Sequence, residues 1–216
     1  MKKRFAVLLA APLAVLVSGG AAMAVGASHY DATLRPVPHR HSADGGSQVH
    51  GTAVLRLSGR TLDINLKASG LTPNEPHAMH IHGLVDSRNE CPDISADVNT
   101  GDPIDPSTFV AGKPDGLISL SEGAPSYGPI DVSLTARGDT SPASGLTLER
   151  FVKADSRGNL TYHRSVVVPK DIATNLSDLH IVIHGADLPS DKDHSSLSNL
   201  FEATLPVACG AINKSS

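Results

Sequence analysis

The chain has 216 residues, of which 18 are basic and 22 acidic, and a formal net charge of −4 at pH 7. An acidic balance repels nucleic acid and anionic membrane surfaces, and a chain with no tryptophan, three tyrosines and four phenylalanines has little material for base stacking. The composition therefore argues against nucleic acid as a partner.

The first 27 residues have the pattern of a secretory signal peptide. Three basic residues precede an apolar run from Phe5 to Val17, and small residues follow. The run is too short to span a membrane comfortably, so we predict cleavage after Ala24 or Ala27 and no membrane attachment of the mature chain. Residues 28–216 then form one domain with a formal charge of −7, secreted or held in the cell envelope.

The mature chain is dominated by short segments with strand character. Residues 49–57 and 62–71 alternate apolar and polar side chains, and a tight turn at 58–60 joins them. Gly and Pro residues separate these segments, and the sequence has no pattern of a long amphipathic helix. We predict an all-β fold, an antiparallel barrel or sandwich with little helix. The other predicted strands are 32–37, 77–82, 130–135, 148–153, 160–168 and 179–184, and a polar loop at 188–198 leads into the C-terminal segment 201–212.

Residues 83–128 are rich in Asp, Pro, Gly and Ser and are predicted to be a long loop. A loop of this length in a compact domain is usually functional or tied down. Cys91 lies inside it, and Cys209 is the only other cysteine. Two cysteines in an exported chain are expected to pair, because the compartment allows oxidation.

The strongest chemical signal is a His-x-His pattern in the predicted strand 77–82. His80 and His82 are two residues apart, so they lie on the same face and can bind one metal ion. Imidazole suits copper, zinc, nickel and iron, and the spacing alone does not select among them or exclude histidines that are merely exposed or hydrogen-bonded. His184 ends another predicted strand, a position where a histidine is more often structural.

Residues 51–212 resemble the copper/zinc superoxide dismutases, which implies a Greek-key β-barrel. Three blocks carry the resemblance, in the family's order and at similar spacing. They are GTAV at 51–54 with GLTP at 70–73, HAMHIHG at 77–83 followed by Cys91, and IVIH at 181–184 followed by ACGAI at 208–212.

The resemblance implies that His80, His82 and His184 are copper ligands and that Cys91 and Cys209 form the intrasubunit disulfide. The chain also departs from the family. Residues 83–162 contain no histidine, so the bridging histidine and the zinc site have no counterpart, and Pro206 replaces the arginine that guides superoxide. We therefore expect a secreted copper-binding protein without zinc, with weak or absent dismutase activity. The alternative is a metal-free envelope or interaction module similar to chordin-type (CHRD) domains.

Four further features are weaker. His163 is expected on the surface, and His180 shares a face with His184, where it either supports a ligand or is structural. The first loop contains two histidines, His39 and His41, that either capture metal or are solvated. Residues 115–122 match only the second half of a calcium-binding EF-hand loop, a partial motif for calcium. The sequence identifies no protein partner.

Overall fold

The computed structural model describes residues 26–39, 48–98, 116–187 and 200–215. Residues 1–25 of the predicted signal peptide, with the predicted cleavage site after Ala24, lie outside these residues, and so do His41, Asp115 and the whole predicted loop 188–198. Residues 26–39 include the start of the predicted mature domain, which begins the first strand.

Nine strands in the described part of the chain form one antiparallel sheet. Its order is β5-β4-β7-β8-β1-β2-β3-β6, and β9 pairs with β1 beside this path. The strands are β1 (Ser28–Pro36), β2 (His50–Ser58), β3 (Thr61–Ser69), β4 (Met79–His82), β5 (Ile130–Ser133), β6 (Leu160–Val167), β7 (His180–His184), β8 (Pro206–Ala211) and β9 (Asn213–Lys214). The predicted all-β, antiparallel class is confirmed.

The edges of the sheet approach each other, so the sheet curls into a half-barrel. On β6, the Tyr162 hydroxyl donates to the carbonyl of Thr135 at 3.4 Å, and Arg164 Nη1 donates to the same carbonyl at 2.7 Å. Thr135 follows β5, the opposite edge strand. The main apolar core lies inside the curl and includes Leu55, Leu62, Ile64, Leu66, Ile81, Ile181 and Ile183.

The first strand pairs with different neighbours along its length, besides its short pairing with β9. Ser28 to Leu34 pair with β2, whereas Arg35 and Pro36 pair with β8. This one strand thus connects the half of the sheet formed by β2, β3 and β6 with the half formed by β8, β7, β4 and β5. Every ladder connection between the two halves of the described sheet runs through β1.

The α-helices of the described ranges are few and short: α1 (Leu120–Tyr127), α2 (Lys170–Thr174) and α3 (Leu200–Thr204). The first lies within the predicted loop 83–128. Ser119 and Glu122 cap it reciprocally, a pattern that the sequence contains. No helix in the described ranges has the length and apolar character needed to cross a membrane.

One predicted strand, 148–153, is wrong. Leu148–Arg150 is a single 3₁₀ turn, and the one β-bridge of the segment among the described residues joins Lys153 to Pro76, which lies outside the strands of the sheet. The Phe151 backbone N–H bonds to the carbonyl of Leu148 at 3.0 Å. Local turn bonds therefore take the place of the ladder that a strand would need. The segment 201–212 also begins in α3 before it becomes β8.

The predicted disulfide between Cys91 and Cys209 is confirmed, with 5.6 Å between the two Cα atoms. It fixes the segment after β4 to the outer face of β8. A second apolar cluster lies beneath that segment and includes Val182 of β7, whereas Ile181 and Ile183 belong to the main core. Side chains alternate along a strand, so His180 and His184 share the outer face with Val182.

Candidate metal centre

The three histidines of the predicted site lie on two neighbouring strands. In the pairing of β4 with β7, His80 lies opposite Val182 and His82 opposite His180. Residues opposite each other in an antiparallel pair point to the same face, so His80 and His82 share the outer face with His184. One nitrogen from each ring lies within 4.8 Å of the other two, and all three side chains are buried.

A backbone carbonyl holds each ring from behind. His80 Nε2 donates to the carbonyl of Gly145 at 2.9 Å, His82 Nδ1 to that of Gly128 at 2.9 Å, and His184 Nδ1 to that of Thr204 at 2.8 Å. A carbonyl oxygen only accepts, so each of these nitrogens carries the hydrogen. The other nitrogen of each neutral ring therefore presents a lone pair.

These other nitrogens are His80 Nδ1, His82 Nε2 and His184 Nε2. All three are buried and have no hydrogen-bond partner in the structure. Buried polar atoms are nearly always paired, so three unpaired lone pairs that face one another need an explanation. A metal cation satisfies all three at once, and a carbonyl behind each ring is the support that metal-binding histidines usually have.

The environment keeps the rings neutral. Burial, together with the neighbouring His184, lowers the pKa of His82 to about 3, and burial lowers the pKa of His184 to about 4. Burial also lowers the pKa of His80 well below its usual value, and the two neighbouring histidines act in the same direction. Metal binding requires unprotonated imidazole, so the rings are ready for a metal at neutral and mildly acidic pH.

Aromatic and aliphatic side chains enclose the three rings. Phe151 lies edge-on to His80 with 5.6 Å between ring centroids, and Tyr127 lies edge-on to His82 at 4.7 Å. A cavity of about 70 Å³ opens on the remaining side of the rings. Its wall consists of His80, His82 and His184 with Leu120, Ile130, Leu146 and Thr204.

Two glycines bring the supporting carbonyls into place. Gly128 has φ of +83°, and a Cβ there would lie 2.8 Å from Ser87 Cβ and 3.1 Å from the carbonyl oxygen of Gly83. Gly145 has an ordinary helical φ, but a Cβ would lie 2.6 Å from Ile130 Cδ1. Sequence reasoning missed both glycines and Thr204, because a carbonyl belongs to every residue and leaves no side-chain signal.

A fourth histidine supports the site without lining it. His77 is fully buried, with Nδ1 3.0 Å from the carbonyl oxygen of His184 and Nε2 3.1 Å from that of Thr72. It thereby ties the end of β7 to the loop that precedes β4. Its place in the motif at 77–82 was noted in the sequence, but this role was not predicted.

The other histidines that the sequence singled out lie apart from this centre. His163 is on the surface, as expected, with Nδ1 2.6 Å from Asn65 Oδ1. His39 is buried, its Nε2 donating to the carbonyl of Pro206 and its Nδ1 accepting from the N–H of Ile118. His180 is buried beside His82, but no hydrogen bond in the structure joins it to a ligand ring.

The described residues contain one cluster with metal-ligand geometry, the three histidines. For the partial calcium motif, the structure describes Glu122, whose carboxylate accepts from the backbone N–H groups of Val98 and Ser119. Those bonds use both carboxylate oxygens to hold α1 and its neighbouring segment. Asp115, the other end of the motif, lies outside the described residues.

Comparison of the sequence with protein-family models and with curated proteins finds no match.

Proposed function

We propose that this chain is a secreted copper-binding protein of the superoxide dismutase type, with a Greek-key barrel, in which His80, His82 and His184 hold one copper ion. The observation that carries the proposal is the convergence of three buried, unpaired imidazole nitrogens within 4.8 Å. Hydrogen bonds fix each ring in the tautomer that a metal needs.

The ligand set favours copper over other metals that bind imidazole. Three neutral nitrogens supply no negative charge, and Leu120, Ile130 and Leu146 cover the remaining side. The cost of burying an ion rises steeply with its charge, so such a site disfavours divalent ions relative to a monovalent one. Copper(I) is the monovalent ion suited to imidazole, and zinc is not expected here.

Dismutase activity is expected to be weak or absent. Catalysis requires copper to be oxidised and reduced with a proton supplied, and the family uses its bridging histidine for this. No histidine occurs in residues 83–162, and Pro206 stands where the family has its guiding arginine. The site is therefore better suited to holding copper than to turnover.

Secretion is the remaining part of the proposal. The signal-like N-terminus and the Cys91–Cys209 disulfide are both consistent with an oxidising compartment. With a mature charge of −7, we expect neither nucleic acid nor membrane as a partner.

Copper titration of the purified mature chain tests the proposal. We expect about one copper per chain by elemental analysis, and a loss of affinity of at least about 100-fold in His80→Ala and His184→Ala. His163→Ala is the matched control, since this histidine is exposed on β6. Equal copper binding in all three variants would contradict the assignment. A folded wild type that binds no metal would favour the CHRD-like module instead.

A further inference from the structure

The cavity beside the three histidines has an unusual wall for a metal site. Besides the ring nitrogens, it is formed by the side chains of Leu120, Ile130 and Leu146, with Thr204 at its margin. Its volume of about 70 Å³ is enough for a diatomic or triatomic molecule. A ligand bound to the metal on this side would therefore lie against aliphatic carbon.

The polar groups at this wall already have partners. His80 Nε2 and His184 Nδ1 donate to backbone carbonyls, and the Thr204 hydroxyl donates to the carbonyl of Phe201 at 3.0 Å. The ring nitrogens without a partner, His80 Nδ1, His82 Nε2 and His184 Nε2, are acceptors that present lone pairs to the proposed metal ion. None of the side chains that form the wall is a lysine or arginine.

This composition discriminates by charge. An anion that binds a metal here would lose its hydration shell, and its outer atom would meet leucine and isoleucine without any hydrogen-bond donor. Burying an unpaired charge in this way is far more costly than burying a neutral molecule of the same size. An uncharged ligand has little hydration to lose and gains contact with the aliphatic wall.

The rim of the cavity extends the same character to the surface. Leu120 is 39% exposed and Leu146 48% exposed, so both leucines face solvent and cavity together. Leu120 is the first residue of α1, and Leu146 follows Gly145, whose carbonyl holds His80. The start of α1 and the segment that holds the His80 ring therefore also position the two leucines at the rim of the cavity.

From these observations we propose that the open coordination position accepts small uncharged ligands, such as diatomic gases, and excludes anions. This inference rests on the proposed copper site and extends it by giving the class of ligand. It also gives a structural reason for weak dismutase activity, since superoxide is an anion.

Two ligands of similar size but different charge test the inference on copper-loaded protein. Carbon monoxide is added to the copper(I) form and followed by its infrared stretch, and azide is added to the copper(II) form and followed by its charge-transfer absorption. We expect the wild type to bind carbon monoxide and to bind azide weakly. Leu146→Arg places a cation at the rim and should raise azide affinity about tenfold, the effect of one charge-assisted contact.

Val54→Arg is the matched control, because Val54 is 56% exposed on β2 and is not part of the cavity wall. It adds the same charge to the protein and should leave azide affinity at the wild-type value. Wild type that binds azide as tightly as Leu146→Arg would overturn the inference while leaving the copper site intact, as would copper(I) protein that binds no carbon monoxide. A folded protein that binds no copper on reconstitution would overturn both the proposed function and this inference.

Discussion

The backbone carbonyl of Gly145 accepts a hydrogen bond from His80 Nε2 at 2.9 Å, and the Cα of the same glycine faces Ile130 so closely that a Cβ would lie 2.6 Å from Ile130 Cδ1. The residue whose carbonyl holds His80 thus packs against Ile130 too closely to carry a side chain of its own. Gly145→Ala must displace either Ile130 or the carbonyl. A displaced carbonyl loses its hold on His80, and supporting groups of this kind are typically worth 10- to 100-fold in metal affinity.

We therefore expect Gly145→Ala to weaken copper binding about tenfold, measured by competition with a chelator of known affinity. Adding Ile130→Val removes the Cδ1 atom in the way and should restore a large part of the affinity. Ile130→Val alone serves as the control. A double variant no better than Gly145→Ala would show that the contact with Ile130 is not the cause.

The metal-free protein should lose stability as the pH falls below about 6.5. Burial holds the pKa of His184 at about 4 and that of His82 at about 3, whereas both titrate near 6.5 in the unfolded chain. Between these values the unfolded chain binds more protons, so the free energy of unfolding decreases as the pH falls towards 4. From pH 6.5 to pH 5 the loss should be about 2 kcal/mol for each such histidine.

Urea denaturation of metal-free protein at pH 7 and pH 5 measures this loss. His184→Gln replaces one titrating ring with an uncharged side chain and should reduce the difference between the two pH values. His163→Gln, at an exposed position, should leave the difference unchanged. The same pH dependence in His184→Gln and wild type would contradict the assignment of the loss to the buried ring.

Removing the disulfide should destabilise the protein and loosen the segment after β4. Cys91 and Cys209 are 118 residues apart, and a loop of this size corresponds to about 5 kcal/mol on the chain-entropy model. Thermal denaturation of the Cys91→Ser/Cys209→Ser variant should show a clearly lower midpoint. Dithiothreitol should lower the midpoint of the wild type by a similar amount and leave that of the variant unchanged. A variant as stable as the oxidised wild type would contradict this expectation.

His77→Ala should destabilise the protein by about 3 kcal/mol. The substitution leaves the buried carbonyl of His184 and the partly buried carbonyl of Thr72 without the imidazole, and it opens a cavity beside β7. His50→Ala is the control, since His50 is exposed on β2. Equal unfolding midpoints for the two variants in urea would show that the His77 contacts carry no stability.

The parts of the fold predicted from sequence are those with a local signal. The alternation in β2 and β3 reflects a sheet with one buried face, so both strands were found within one or two residues. The segment 148–153 has similar apolar content, but within the described residues its β-pairing is limited to the bridge between Lys153 and Pro76. Pairing is a tertiary property that apolar content does not report.

The same distinction applies to the site. His80 and His82 were found because a spacing of two places both rings on one face, and His184 was added by family resemblance. The carbonyls of Gly128, Gly145 and Thr204 were missed, although they decide which ring nitrogen is available to a metal. The aliphatic cavity wall was missed as well, since Leu120, Ile130 and Leu146 come together only through the folded chain.

The position of β1 between β2 and β8 has a consequence for the order of assembly. Among the described strands, β1 leaves the ribosome first, whereas its partners β8 and β9 leave last. The Ser215 hydroxyl bonds to Asp31 across 184 residues. Contacts this distant in sequence make folding slow. His80 and His82 can meet His184 once β4 pairs with β7, but the Thr204 carbonyl that holds His184 comes later in the chain, directly before β8. We therefore expect copper to bind tightly only after β8 has paired with both β7 and β1.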